Sequence, residues 1–212
     1  MMTINQLGNI FCRYALSTAL IVSVVGSVNA ADVDELAEKL VMLTTFSGDF
    51  QQTLVDDEGQ ALQESTGVFS LKRPGYFYWE TKQPFPQLLV SDLTNIWLYD
   101  SDLEQVTVKP YDDRVSQTPA LLLSGDVSKM SESYAVTKKT ENEYVLIPKS
   151  QQELFTQLIV TFSFDQLSAM TLHDSLGQTT TFTFINGVYN QVIADERFQF
   201  IPPEGTDVIL GN

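Results

Sequence analysis

The sequence predicts a mainly β fold, a curved antiparallel sheet or open barrel with only short helices beside it. Three observations carry that reading. Short segments in which apolar and polar residues alternate recur along the chain. Turn residues separate them at short intervals, with no regular helical crossover between them. The chain also holds 13 Phe and 8 Tyr among 212 residues, most of them inside those segments.

Taken in order, Asp32-Val33-Asp34-Glu35 predicts a helix start, with Asp32 as the capping acid and Glu35 three residues later. Val33, Leu36, Ala37, Leu40 and Leu43 follow at helical spacing and form one apolar stripe that a sheet must cover. The period then changes. Phe46, Gly48, Phe50, Gln52 and Leu54 alternate with mostly polar neighbours, the pattern of a half-buried strand. Asp56-Asp57-Glu58-Gly59 marks a turn, and Gly67 to Lys72 is the next strand. Further strands are expected over 76–81, 87–91, 96–99 and 105–109, then over 134–137, 144–148, 157–164, 169–174, 179–185 and 197–200. Asn142-Glu143, Asp174 to Gly177 and Asn186-Gly187 read as turns. Thr118-Pro119-Ala120-Leu121-Leu122-Leu123 reads as a short helix with a threonine cap and proline at its first position. Ser150 to Leu154 reads as a second short helical insertion.

Alternation decides which side chains share a face. Phe77 and Trp79 point one way, with Tyr76, Tyr78 and Glu80 on the other side. Phe69 and Leu71 of the preceding strand are expected to join Phe77 and Trp79. Trp97 pairs with Tyr99, Phe162 with Phe164, and Phe182 with Phe184. A well-filled core with a polar outer face is the ordinary outcome for such a sheet. Here both faces carry large apolar residues, and the helices available to cover them are few and short. A small closed barrel fills itself, whereas a wider or incomplete one leaves a cavity. The expected lining is Phe50, Phe69, Leu71, Phe77, Trp79, Trp97, Tyr99, Phe162 and Phe182.

Residues 1–30 read as a secretory signal rather than as part of the fold. Arg13 is the only charge before Asp32, Tyr14 to Val25 is uncharged and mostly apolar, and Ser27-Val28-Asn29-Ala30 places small residues at the cleavage positions. A membrane anchor would need about 20 apolar residues. Cys12 precedes the apolar run and is expected to leave with the leader. Residues 31–212 then fit one domain with no cysteine, so no disulfide is expected in an oxidising compartment. The whole chain carries 12 basic against 27 acidic residues, a net charge of −15, and losing Arg13 makes the mature domain one unit more acidic. That charge opposes binding to nucleic acid or to an anionic membrane surface.

No catalytic constellation is present in the sequence. There is no G-x-S-x-G elbow, no HExxH and no phosphate-binding glycine loop. His173 is the single histidine and reads as an ordinary strand-end residue, while the acids gather at turns and helix starts where solvation accounts for them. No catalytic residue, metal ligand or cofactor is expected, and the chain reads as a non-enzyme.

Several ordered segments resemble one family. They are Phe46-x-Gly48-x-Phe50-x-Gln52, Gly67, Lys72-Arg73-Pro74-Gly75-Tyr76-Phe77-Tyr78-Trp79, Val90-Ser91-Asp92 and Ile96-Trp97-Leu98-Tyr99-Asp100. Asp102-Leu103-Glu104-Gln105-Val106, Thr118-Pro119 with Leu121 to Leu123, and Phe198-x-Phe200-x-Pro202-Pro203-x-Gly205 continue the series. Together they are similar to the periplasmic lipoprotein carriers of the LolA family across essentially the whole mature chain. Two departures stand out. Leu93 replaces a glycine usual in the family, so a different turn is expected at 92–95, and the chain ends soon after Val208-Ile209-Leu210.

The resemblance implies an incomplete antiparallel barrel, closed by a lid of short helices, that holds the acyl chains of lipoproteins in an apolar cavity. It implies loading at the inner-membrane LolCDE complex, delivery to the outer-membrane receptor LolB, a periplasmic location and a monomer. Within it, Arg73 is expected to latch the lid, formed by Ala120, Leu121, Leu122 and Leu123. The alternatives are a LolB-like receptor, which needs a cysteine where Ala31 stands, and a lipid-sensing regulator similar to RseB, which carries a second domain.

Overall fold

The computed structural model describes residues 30–111, 123–125, 127, 130–150 and 155–211. The expected helix forms as α1 (Ala30–Val41). One side of the chain follows as β1 (Thr45–Val55), β2 (Ala61–Lys72), β3 (Tyr76–Gln83), β4 (Gln87–Asp92), β5 (Asn95–Asp100) and β6 (Gln105–Pro110). A single turn of helix, α2 (Met130–Ser133), leads into β7 (Tyr134–Thr140), β8 (Glu143–Pro148), β9 (Phe155–Ser163), β10 (Gln166–Asp174) and β11 (Thr179–Tyr189). A 3-10 turn at Asp195–Phe198 and a last strand, β12 (Asp207–Leu210), end the described chain.

The twelve strands among the described residues belong to one sheet in the order β12-β6-β5-β4-β3-β2-β1-β11-β10-β9-β8-β7. Meander connections place β1 to β6, and likewise β7 to β11, each beside its sequence neighbour, which is what short turns between alternating segments dictate. The long-range join is β1 to β11, which brings the two halves of the chain together at the centre. β12 and β7 remain as separate edges, so the barrel is incomplete. Every pairing is antiparallel except that of β12 with β6, which is parallel.

α1 buries the stripe read from the sequence. Leu36 and Leu40 are fully buried, and Val33 and Leu43 nearly so, in the core cluster of the sheet. Its acids act differently from expectation. The helix starts at Ala30, so Asp32 lies in its first turn rather than at its cap. The Asp32 carboxylate instead accepts the backbone N–H of Lys138 on edge strand β7 at 3.0 Å. Glu35 accepts the Tyr144 hydroxyl at 2.7 Å and the Lys138 ammonium at 3.0 Å. The Tyr144 hydrogen bond, then Lys138, hold the Glu35 carboxyl below its ordinary range. These contacts pin α1 to the sheet and occupy a backbone donor that an edge strand otherwise presents to solvent.

Four local expectations are corrected. Residues 197–200 form no strand, because Asp195–Phe198 closes a 3-10 turn. Asn186-Gly187 is not a turn but a bulge inside β11, with Asn186 at φ 55, opposite the shift between Ser47 and Asp49. Phe164 does not pair with Phe162: it sits at φ 50 in the β9–β10 turn and is 96% exposed. The segment through Val208-Ile209-Leu210, for which the sequence reading names no strand, forms β12.

Candidate functional site

The register defines the two faces of the sheet. Phe46, Gly48 and Phe50 of β1 lie opposite Leu71, Phe69 and Gly67 of β2, and Phe69 and Leu71 lie opposite Trp79 and Phe77 of β3. On the other side of β1, Phe50 lies opposite Phe184 and Gln52 opposite Phe182. Phe182 then faces Met170, Met170 faces Val160, and Val160 faces Tyr144. Cross-strand partners share a face, so one apolar surface runs unbroken from β3 through β1 to β8. This face also receives the apolar stripe of α1 and, holding the core cluster of the open barrel, is its inner, concave face.

The centre of that face is aromatic. Phe50 stacks on Trp79 with ring centroids 3.9 Å apart, Phe77 stacks on Trp79 at 5.9 Å, and Phe182 meets Trp79 edge-on at 5.4 Å. Phe46 meets Phe69 edge-on at 4.6 Å. Such pairs contribute about 0.5–1.5 kcal/mol each beyond the area they bury. Gly67 makes the arrangement possible. A Cβ there would sit 2.0 Å from the Glu80 carbonyl oxygen and 2.5 Å from the Phe50 ring, so any side chain would displace the ring from Trp79. Where β1 finishes, the face is less covered, with Leu54, Leu172 and Phe182 half-buried, and towards β5 Leu89 is half-buried and Leu98 exposed.

The structure therefore brings together Phe50, Phe69, Leu71, Phe77, Trp79, Phe162 and Phe182 of the expected lining. It does not bring Trp97 and Tyr99. They lie opposite Val90 and Leu88, on the other face. There the C-terminal segment covers them: Phe200 packs on both rings, at 5.9 Å and 5.6 Å. The fully buried Phe198 packs against Tyr76, and the Arg197 guanidinium lies 3.6 Å over the Tyr78 ring. Trp97 also donates its indole N–H to Asp92 at 3.1 Å.

Arg73 closes one end of the aromatic face. Its Nε donates to the Leu43 carbonyl, just past α1, at 3.1 Å, and Nη1 donates to the Gly125 carbonyl at 2.5 Å. The neighbouring Gly75 N–H donates to the Ser124 carbonyl at 2.7 Å. These bonds hold segment 123–125 against the sheet, with Leu123 fully buried in the core cluster. Ala120, Leu121 and Leu122 lie outside the described residues, as does most of the expected insertion at 150–154. Leu93 adopts φ 70, a left-handed conformation that glycine enters freely. His173 lies in β10 and pairs its Nδ1 with Thr179 Oγ1 across the strands at 3.0 Å.

Among the described residues no helix is long and apolar enough to cross a membrane. The sequence model of outer membrane lipoprotein carrier protein LolA matches residues 42–201. The chain is 43% identical to the outer-membrane lipoprotein carrier protein of Hahella chejuensis, over 92% of this chain and 95% of that protein. It is 44% identical to that of Pseudomonas syringae pv. tomato, over 93% and 97%. A solved structure, an uncharacterized conserved protein from Thermus thermophilus, shares the fold at a TM-score of 0.50 and 14% identity, over 86% of this chain and 99% of that one. The chain belongs to the LolA family of outer-membrane lipoprotein carrier proteins.

Proposed function

We propose that this chain carries lipoproteins across the periplasm, from the inner to the outer membrane, by holding their acyl chains against the concave aromatic face. Residues 1–30 serve as the cleavable export signal, and 31–212 form the single carrier domain. Cargo arrives from the LolCDE complex and leaves to LolB. The carrier role follows from the family, and the observation that supports the site is the unbroken apolar surface around Trp79.

Energetics explain why such a face needs a competitor. A triacylated lipoprotein has about forty methylenes, each worth roughly 0.8 kcal/mol on burial, or on the order of 30 kcal/mol in all. That exceeds the practical ceiling of about 20 kcal/mol for reversible binding. The aromatic face packs on itself, with Phe46, Phe50, Phe69 and Phe77 all at 0–1% exposure. Acyl chains must displace those contacts, so net affinity is a difference and release is feasible.

The test is mass spectrometry of the protein purified from periplasm. Acylated lipoprotein bound at substoichiometric to equal amounts is expected. Recovery with no acylated protein, from cells whose lipoproteins are normally made, would overturn the proposal.

A further inference from the structure

Of the Val90-Ser91-Asp92 segment, two residues are fully used by the fold. Val90 is buried on the outer face opposite Trp97. Asp92 accepts the backbone N–H groups of Thr94 and Asn95 and the indole N–H of Trp97. Ser91 is not used in this way. It lies opposite Phe77 on β3 and Ile96 on β5, so its side chain points to the concave face. It is 0% exposed, and among the described residues its hydroxyl has no hydrogen-bond partner. Two other buried serines contrast with it. The Ser65 hydroxyl accepts from Gln63 at 3.0 Å, and the Ser70 hydroxyl accepts from Arg197 at 3.4 Å.

A buried hydroxyl without a partner costs on the order of 1–3 kcal/mol, and an alanine would avoid that cost with almost no change of shape. We infer that Ser91 is a cargo-binding residue whose hydroxyl donates to an ester or amide carbonyl of the lipoprotein's acyl linkages. This rests on the proposed carrier role and adds a polar anchor to a face otherwise read as apolar. The position fits the chemistry. Ser91 pairs one residue from the β3 start, where Tyr76 lies opposite Asp92, beside the Arg73–Gly75 turn and segment 123–125. The hydrocarbon then has the run from Phe77 past Trp79 towards the half-buried Leu89 and Phe182. Carbonyls at the Ser91 end and tails towards Phe182 give the cargo one orientation. A neutral hydrogen bond in a water-excluded site contributes about 1 kcal/mol of preference, near fivefold in affinity.

The experiment uses the unloaded mature protein with two probes: a lipopeptide bearing a diacylglyceryl cysteine with ester linkages, and its dialkyl-ether analogue, which lacks the carbonyls. Wild type is expected to bind the ester about fivefold more tightly than the ether. Ser91→Ala is expected to bind the two alike, and to melt at the same or a higher temperature when empty. An ester preference that survives in Ser91→Ala, or no preference in wild type, overturns the assignment. Failure of wild type to bind either probe counts instead against the carrier reading on which it rests.

Discussion

Replacing Arg73 with leucine removes both guanidinium bonds that hold segment 123–125 and the end of α1 together. A hydrogen bond to a charged group contributes about 1.5–3 kcal/mol, so losing the pair weakens that closure by on the order of 3 kcal/mol even at the low end. An equilibrium shifts about 150-fold for that energy. If closure over Leu123 competes with cargo, the fraction of open molecules rises and apparent affinity rises with it, up to the same factor. The assay is transfer of a labelled lipoprotein from the loaded carrier to LolB, with occupancy at steady state measured alongside. The Arg73→Leu variant is expected to hold cargo at least tenfold longer and at higher occupancy. Arg73→Lys should fall between, because a point charge cannot span two carbonyls with fixed fork geometry. Faster delivery with lower occupancy refutes this reasoning, and unchanged values reduce Arg73 to a structural tie.

Three other outcomes follow from local geometry. Leu93→Gly relieves a left-handed leucine at φ 70, and thermal unfolding should show a stabilisation of about 0.5 kcal/mol after the extra chain entropy of glycine is subtracted. Phe198→Ala empties a fully buried site on the outer face and should cost about 3 kcal/mol in denaturant unfolding, while folded molecules still bind lipopeptide normally. Glu35 has a folded pKa below its ordinary 4.5, so its stabilisation is present above that value and is lost as pH falls through the lowered one. Melting temperature should therefore drop on acidification below about pH 4.5, and less steeply in Glu35→Gln than in wild type.

Much of the concave face was legible because alternation in β1 to β3 is strict and the turns between them are marked. Phe69, Leu71, Phe77 and Trp79 could be placed together from spacing alone. Trp97 and Tyr99 could not. Alternation says that they share a face but not which one, and β4 and β5 carry apolar residues on both. Their cover is the segment through Phe198 and Phe200, whose own alternation resembles a strand although Asp195–Phe198 turns as a 3-10 helix. Phe164 misled for a related reason. The β9–β10 turn uses left-handed Phe164 and Asp165, at φ 50 and 60, with no glycine or asparagine to announce it. The acids of α1 were visible as a helix start, but their real partners, Lys138 and Tyr144, lie about a hundred residues away and leave no local trace.

The proposed carrier role puts acyl chains on the concave face and not on the covered outer one. Phe182 and Tyr99 are both half-buried aromatics, and the register puts them on opposite faces. A photoreactive phenylalanine placed at each position, in protein loaded with radiolabelled lipoprotein, compares the two faces directly. Crosslinks to the acyl chains are expected from position 182 and not from position 99. Equal crosslinking from both, or crosslinking from position 99 alone, would contradict the account.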